Sequence, residues 1–323
     1  MKSWLLCLLL LATGPVRADT ATNSPAGAAT LMIVVGAAGE DEFGRSFEQW
    51  ALLWEKAGRT AGAKQITIGL TPVAEVSDRE RLKQALAAET KEGSGELWLV
   101  LLGHGTFDGR EAKFNLRGDD VSAKELADWI QPFRRPVAVI NCASASGPFL
   151  KPMSAAGRVV ITATRSGSEH NYARFGKYLA EAVTDPQADL DKDGQTSLLE
   201  AFLTASHRVA DFYKTEGRLA TEHALLDDNG DGLGTPADWF RGIRAVKRAQ
   251  GGATLDGLRA HQFHLVRSAA EQKLAPAVRA RRDALEVAIA KLRDGKKDLA
   301  ETEYYRQLEV FLLELARLYE QKE

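Results

Sequence analysis

Cysteine is scarce in this chain: among 323 residues only Cys7 and Cys142 carry a thiol. Cys7 falls in a leader-like N-terminus, so Cys142 is alone in a processed chain and no internal disulfide is expected. Such a thiol is either a small buried hydrophobe or a reactive group. Long apolar runs are missing as well. The run from Trp4 to Ala12 is too short to span a bilayer, and no other segment reads as transmembrane. An excess of one charge sign is also missing, since 42 basic residues stand against 44 acidic ones for a net charge of −2. With no basic patch or long single-sign run, nucleic acid is not an expected partner.

The N-terminus "MKSWLLCLLLLATGPVRADT" joins an early lysine and a short apolar run to a Gly-Pro break and small residues at Val16 and Ala18. This pattern predicts a secretory signal over 1–18 and an extracytoplasmic, periplasmic or secreted, location. Cys7 sits too early in the apolar run for a lipoprotein box. A flexible lead-in over 19–29 follows, rich in Ala, Thr, Ser, Pro and Gly.

With 45% hydrophobic and 27% charged residues the chain can bury a sizeable core. "TLMIVVGAAG", "KQITIGL", "ELWLVLLG", "PVAVINC" and "RVVITAT" read as buried strands. Between them lie amphipathic helices: one over 46–60, one opened by a capping box from Ser77 to Glu80, one opened by Ser122 and Glu125, and one over 171–183. "AKFNLRGDD" reads as a small hairpin. Alternating strands and helices predict an α/β domain over 30–240, with a mostly parallel sheet flanked by helices. Residues 241–323 form a helical extension. In it Val278, Leu285, Ile289 and Leu292 share one face, and beyond Gly295 so do Tyr305, Leu308, Leu312, Leu315 and Tyr319. That is a helical hairpin which packs on itself or the main domain, or serves self-association.

In such sheets ligands bind beyond the carboxyl ends of the strands. His104, Cys142, Ser144 and the segment from Thr162 to Glu169 all fall there. Farther on, "DLDKDGQTSLLE" fits the calcium-loop pattern D-x-D-x-D-G-x5-E with Asp189, Asp191, Asp193, Gln195 and Glu200 in register. Calcium takes six to eight oxygens, alternate residues point inward, and a final carboxylate chelates with both oxygens. "DDNGDGLGTPAD" repeats the spacing with Asp227, Asn229, Asp231 and Asp238, a weaker site because aspartate reaches less far and Pro236 stiffens the loop. The alternative for both is an Asp/Gly turn that caps a helix.

A strand ending in His-Gly, a hairpin leading to "GDDVSAKEL", a strand ending in a nucleophile followed by Ser-Gly, and "ITATRSGSEHNYA" together resemble the legumain-type, caspase-like (clan CD) cysteine peptidases over residues 31–183. The resemblance implies a caspase-like sheet and hydrolysis of a protein or peptide substrate. His104 would be general base or acid, Gly105 an oxyanion donor, and Thr164, Arg165, Ser166 and Glu169 pocket wall. The family reads Glu-Ala-Cys-x-Ser-Gly where this chain has Cys142-Ala143-Ser144-Ala145-Ser146-Gly147. One register puts Ser144 in the nucleophile's place and Cys142 in that of the acid. The other aligns cysteine with cysteine and needs a two-residue insertion; the first is favoured. With no evident acid to orient His104, the serine predicts a weak or dead enzyme. The expected function is therefore an exported peptidase or a degenerate relative. The rivals are a non-catalytic calcium-stabilised binding module and a self-assembly protein.

Overall fold

The computed structural model describes residues 27–71, 75–252 and 254–320. The expected signal segment over 1–18 lies outside them.

The chain opens with β1 (Thr30–Val35), α1 (Asp41–Thr60), β2 (Lys64–Ile68), α2 (Asp78–Ala88) and β3 (Leu97–Leu102). Three short strands follow, β4 (Gly105–Phe107), β5 (Ala112–Phe114) and β6 (Val121–Ser122), then α3 (Ala123–Ile130). The sheet resumes with β7 (Val137–Asn141), a short α4 (Leu150–Met153) and β8 (Arg158–Thr162). Helices α5 (Phe175–Ala182) and α6 (Leu198–Thr215) precede β9 (Leu225–Asp227) and β10 (Thr235–Pro236). The extension holds a two-stranded ribbon, β11 (Phe240–Arg241) and β12 (Arg244–Ala245), and helices α7 (Leu258–His261), α8 (Ala269–Lys273), α9 (Pro276–Asp294) and α10 (Glu301–Glu320).

The main sheet runs β10-β9-β8-β7-β3-β1-β2, parallel from β8 through β2 with an antiparallel edge of β9 and β10. Successive strand residues point to opposite faces, and here both faces are dry. Ile33, Val100, Ile140 and Ile161 pack toward α1, α5 and α6, while Met32, Leu99, Val139 and Val160 pack toward α2 and α3. The five continuous apolar runs are therefore the parallel strands of an α/β fold. The chain order reverses between β1 and β3, which creates a switch point at the carboxyl ends of these two strands.

Several boundaries differ from expectation. Helix α1 starts at Asp41, ahead of position 46. Ser77 accepts the Glu80 amide at 3.2 Å, one half of the expected capping box, whereas the box of Ser122 and Glu125 is complete. Helix α5 starts only at Phe175 because the cap comes from far away: the Glu222 carboxylate accepts the Arg174 and Phe175 amides at 2.8–2.9 Å. The expected hairpin after β3 is a three-stranded sheet. In the extension α9 and α10 pack together, but the buried seam of α10 starts at Tyr304, with Leu308, Phe311, Leu315 and Leu318 half-buried. Tyr305, Leu312 and Tyr319, expected on that face, are exposed. The seam follows a heptad-like spacing one row over, which burial rather than spacing distinguishes. Part of the extension belongs to the main core: Ala260, Phe263 and Leu265 are buried in it, and the Leu198 amide donates to the Phe263 carbonyl at 2.8 Å.

Candidate functional site at the strand tips and acidic loops

His104 lies two residues past the end of β3, after Gly103, at the switch point. Its ring is half-buried, edge-on to Phe43 and Phe47 at centroid distances of 5.0 and 5.1 Å. Nε2 lies 3.2 Å from the Ala38 carbonyl, beyond the end of β1. A carbonyl only accepts, so Nε2 carries the proton and donates. Burial lowers the pKa of the ring, partly opposed by that same hydrogen bond, so the imidazole is neutral at neutral pH.

Ser144 is 3% exposed, and its hydroxyl is fully engaged with the residue after His104. Ser144 Oγ accepts from the Gly105 amide at 3.2 Å and donates to the Gly105 carbonyl at 3.2 Å. The approach demands glycine: a Cβ on residue 105 would sit 2.4 Å from the Ser144 carbonyl oxygen. Thus Ser144 ties β4 to the tip of β7, and the amide expected to hold an oxyanion is already bonded. The next residue, Ala145, has φ 51° and donates its amide to the Glu169 carbonyl at 2.8 Å. A left-handed non-glycine residue is strained, and such residues concentrate at functional sites.

Cys142 faces the other way. It is 1% exposed, on the core side covered by α1 and α5, so close to Gly176 that a Cβ there would meet Cys142 Cβ at 2.8 Å. Burial, with a lesser contribution from the Glu222 charge, pushes its thiol far above the ordinary range. The thiol is a packing group.

The expected pocket wall divides in two. Thr164 is buried; its Oγ1 accepts the Gly147 amide at 3.0 Å and lies 3.2 Å from Ser146 Oγ, so it knots the β7 and β8 tips together beneath the surface. Arg165, Ser166 and Glu169 lie above it. The hydroxyls of Ser166 and Ser168 pair at 2.8 Å, and Arg165 Nε lies 3.2 Å from Glu169 Oε1. A residue that sequence reasoning missed joins them: His223 Nδ1 is 2.5 Å from Glu169 Oε1. It comes from the segment before β9, 54 residues from Glu169, and no local pattern signals the pairing. Phe107, exposed on β4, packs against Gly167 and closes this rim.

At the first acidic loop Asp189, Asp191 and Asp193 bring carboxylate oxygens within 4.8 Å of one another, a group that could hold a metal ion. All three donors are hard oxygens, the kind that a hard cation takes. Burial and the neighbouring Glu200 and Asp193 charges raise the pKa of Asp191. Glu200, the expected last ligand, is fully buried and committed elsewhere. Its Oε1 accepts the Leu190 and Asp191 amides at 2.7 and 3.2 Å, and its Oε2 accepts from the Ser197 amide and hydroxyl at 2.8 Å. Gln195 Oε1 accepts the Ser268 amide at 3.1 Å. His261, from the extension, places Nε2 3.4 Å from Asp191 Oδ2.

The second loop has the same backbone. In the first, Asp189 accepts the amides of Lys192 and Gly194, Asp191 that of Asp193, and Asp193 that of Gln195. In the second, Asp227 accepts those of Gly230 and Gly232, Asn229 that of Asp231, and Asp231 that of Leu233. The fourth and sixth positions of each loop have positive φ. The place of Glu200, however, is not taken by Asp238. Asp256, from the extension, accepts the Asp228 and Asn229 amides and the Thr235 hydroxyl, the counterparts of the Leu190, Asp191 and Ser197 donors. Burial and the nearby Asp228 charge raise the Asp256 carboxyl to about 8. The shorter aspartate at position 238 is replaced in this role by a residue beyond the expected domain boundary at 241.

No protein-family model matches the chain, and neither does any curated protein. Among solved structures it is similar to the Drosophila initiator caspase Dronc, at 13% identity and a TM-score of 0.42, over 69% of this chain and 93% of that one. It is similar also to caspase-1 from Spodoptera frugiperda, at 13% identity and a TM-score of 0.41, over 68% of this chain and 94% of that one.

Proposed function

We propose that this chain is a non-hydrolysing relative of the caspase-like peptidases, an exported binding module that engages a protein or peptide at the strand tips and is stabilised by calcium at its acidic loops. The observation that carries this reading is the closed pair of hydrogen bonds between Ser144 Oγ and the Gly105 backbone. An attacking hydroxyl needs a base that takes its proton and an amide that is free for the oxyanion. Here Nε2 of His104 donates to Ala38, the Gly105 amide holds Ser144, and Cys142 is buried beneath α5. What is left is a recognition surface of the exposed Phe107 and Arg165 beside the half-buried Glu169–His223 pair.

A second reading, a serine-type peptidase held in a closed state, draws on the strained Ala145 directly after Ser144. Incubating the purified protein with a peptide library separates the two. Retention of peptides on the immobilised protein without new termini in the mass spectra supports the first. New termini that vanish in Ser144→Ala support the second and overturn the first.

The calcium assignment rests on the loop spacing and the all-oxygen cluster of Asp189, Asp191 and Asp193. Self-association through the exposed Tyr305, Leu312 and Tyr319 of α10 is a companion proposal, and sedimentation of the full chain against concentration tests it.

A further inference from the structure

Nearly half of the exposed apolar bulk of this chain sits on one helix. Among the described residues eleven large hydrophobic side chains are exposed, and five of them, Tyr305, Val310, Leu312, Leu313 and Tyr319, belong to α10. Single exposed hydrophobics are ordinary on a soluble surface, whereas a contiguous group marks an interaction site. The other side of α10 is already taken. Tyr304, Leu308, Phe311 and Leu315 form its seam with α9, and Arg281 Nε lies 2.6 Å from Glu314 Oε1 across the hairpin. The free side is thus presented outward on a braced pair of helices.

Residues three and four apart on a helix share a face. On the free side one row runs from Tyr305 through Leu312 to Tyr319, and the row beside it from Arg306 through Leu313 to Glu320. Read from either end, the apolar pattern is the same and the charge pattern is inverted. The two tyrosines stand seven residues on either side of Leu312. Arg306 and Glu320 stand seven residues on either side of Leu313, and Glu309 and Arg317 stand four on either side of it. All four charged residues are exposed.

We infer that α10 pairs antiparallel with α10 of a second copy of this chain, about a two-fold axis beside Leu312 and Leu313. The inference rests on the self-association proposed above and gives it a geometry. In a two-fold interface residue i meets residue j, and j meets i. Here Tyr305 meets Tyr319 of the second copy, the two leucines meet their own copies at the axis, and Arg306 meets Glu320, with Glu309 beside Arg317. A parallel pair in register would instead set each of these charges against its own kind, which is repulsive. Arg306 bonds Glu303 in its own helix through Nε at 2.8 Å and Nη2 at 2.6 Å, which leaves Nη1 for a second carboxylate. The 20 residues of α10 make a face about 30 Å long. One such face lies at the small end of specific interfaces, so the dimer forms at micromolar rather than nanomolar concentration.

The test joins a charge-reversal cycle to a distance measurement on the full chain. Sedimentation equilibrium across the micromolar range should show a monomer–dimer equilibrium. Arg306→Glu and Glu320→Arg should each raise its dissociation constant roughly tenfold, and the double variant should recover it. Both residues are exposed, so the variants should fold, and recovery in the double variant would itself show that they do. Nitroxide labels on Thr302→Cys, in a Cys7→Ser background with Cys142 buried, should lie about 30 Å apart in the dimer, since residue 302 is ten residues from the axis. A parallel pair would bring them to about 10 Å. A chain that stays monomeric overturns both the self-association and this geometry. A dimer with the short distance, or with no recovery in the double variant, overturns the antiparallel pairing alone.

Discussion

Replacing Ser144 by alanine tests whether its hydroxyl is a brace. The substitution removes two 3.2 Å hydrogen bonds to Gly105 and leaves that buried amide and carbonyl without this partner. An ordinary hydrogen bond contributes about 0.5–1.5 kcal/mol net, and a buried group left unpaired costs about 1–3 kcal/mol. The alanine methyl recovers little because the pocket was shaped by a hydroxyl. A destabilisation of about 2 kcal/mol is therefore expected. With a urea slope of about 1–3 kcal/mol per molar, the midpoint should fall by roughly 1 M with the slope unchanged. Ser166→Ala is the control: its hydroxyl is exposed and bonds only that of Ser168, so the change should stay within about 0.5 kcal/mol. If Ser144→Ala unfolds no earlier than this control, the hydroxyl is not structural and the brace argument fails.

Other consequences follow from the same geometry. Gly105→Ala should be worse than Ser144→Ala, because its Cβ would lie 2.4 Å from a backbone oxygen that cannot step aside; an equal or higher urea midpoint would show that β4 is free to move. Cys142 should resist iodoacetamide in the native protein and react only on unfolding, at a rate that tracks denaturant; rapid labelling without denaturant would contradict its burial. Calcium should raise the melting temperature, by about 2.7 kcal/mol of stabilisation at a hundredfold excess over its dissociation constant, and Asp191→Asn should blunt the effect; coincident curves with calcium and with chelator would refute the assignment. His264 is depressed by burial to about 4, below the value of about 6.5 it has when unfolded. Between these values the unfolded chain binds more protons, so its contribution is complete above pH about 6.5 and lost as pH falls toward about 4. His264→Asn should therefore flatten the acid side of the stability profile; the same profile in both proteins would refute this.

Much of the sheet was legible because parallel strands buried on both faces are near-continuous apolar runs, and all five such runs are strands of the main sheet. The antiparallel edge was not. β9 and β10 have three and two residues, too few for any periodicity, and are strands only by pairing across the chain. The site was partly legible for the same reason. His104, Gly105 and Ser144 fall at strand ends, where position along the chain fixes position in space. In these contacts His223, Asp256 and Glu222 act on residues 21–54 positions away, and a lone histidine or carboxylate carries no trace of such a partner. Glu200 shows the opposite limit. One spacing fits both a calcium loop and a capping box, and in this structure the box holds Oε2 of the carboxylate while the Leu190 and Asp191 amides hold Oε1.

The central claim, that Ser144 is a structural group in a closed site, is tested most directly by treating the native protein with a fluorophosphonate probe and mapping any adduct by mass spectrometry. The account predicts no adduct on Ser144 across the pH range in which imidazole titrates. An adduct on Ser144 that forms in the native protein and is lost in His104→Ala would contradict it and establish a working serine nucleophile with a histidine base.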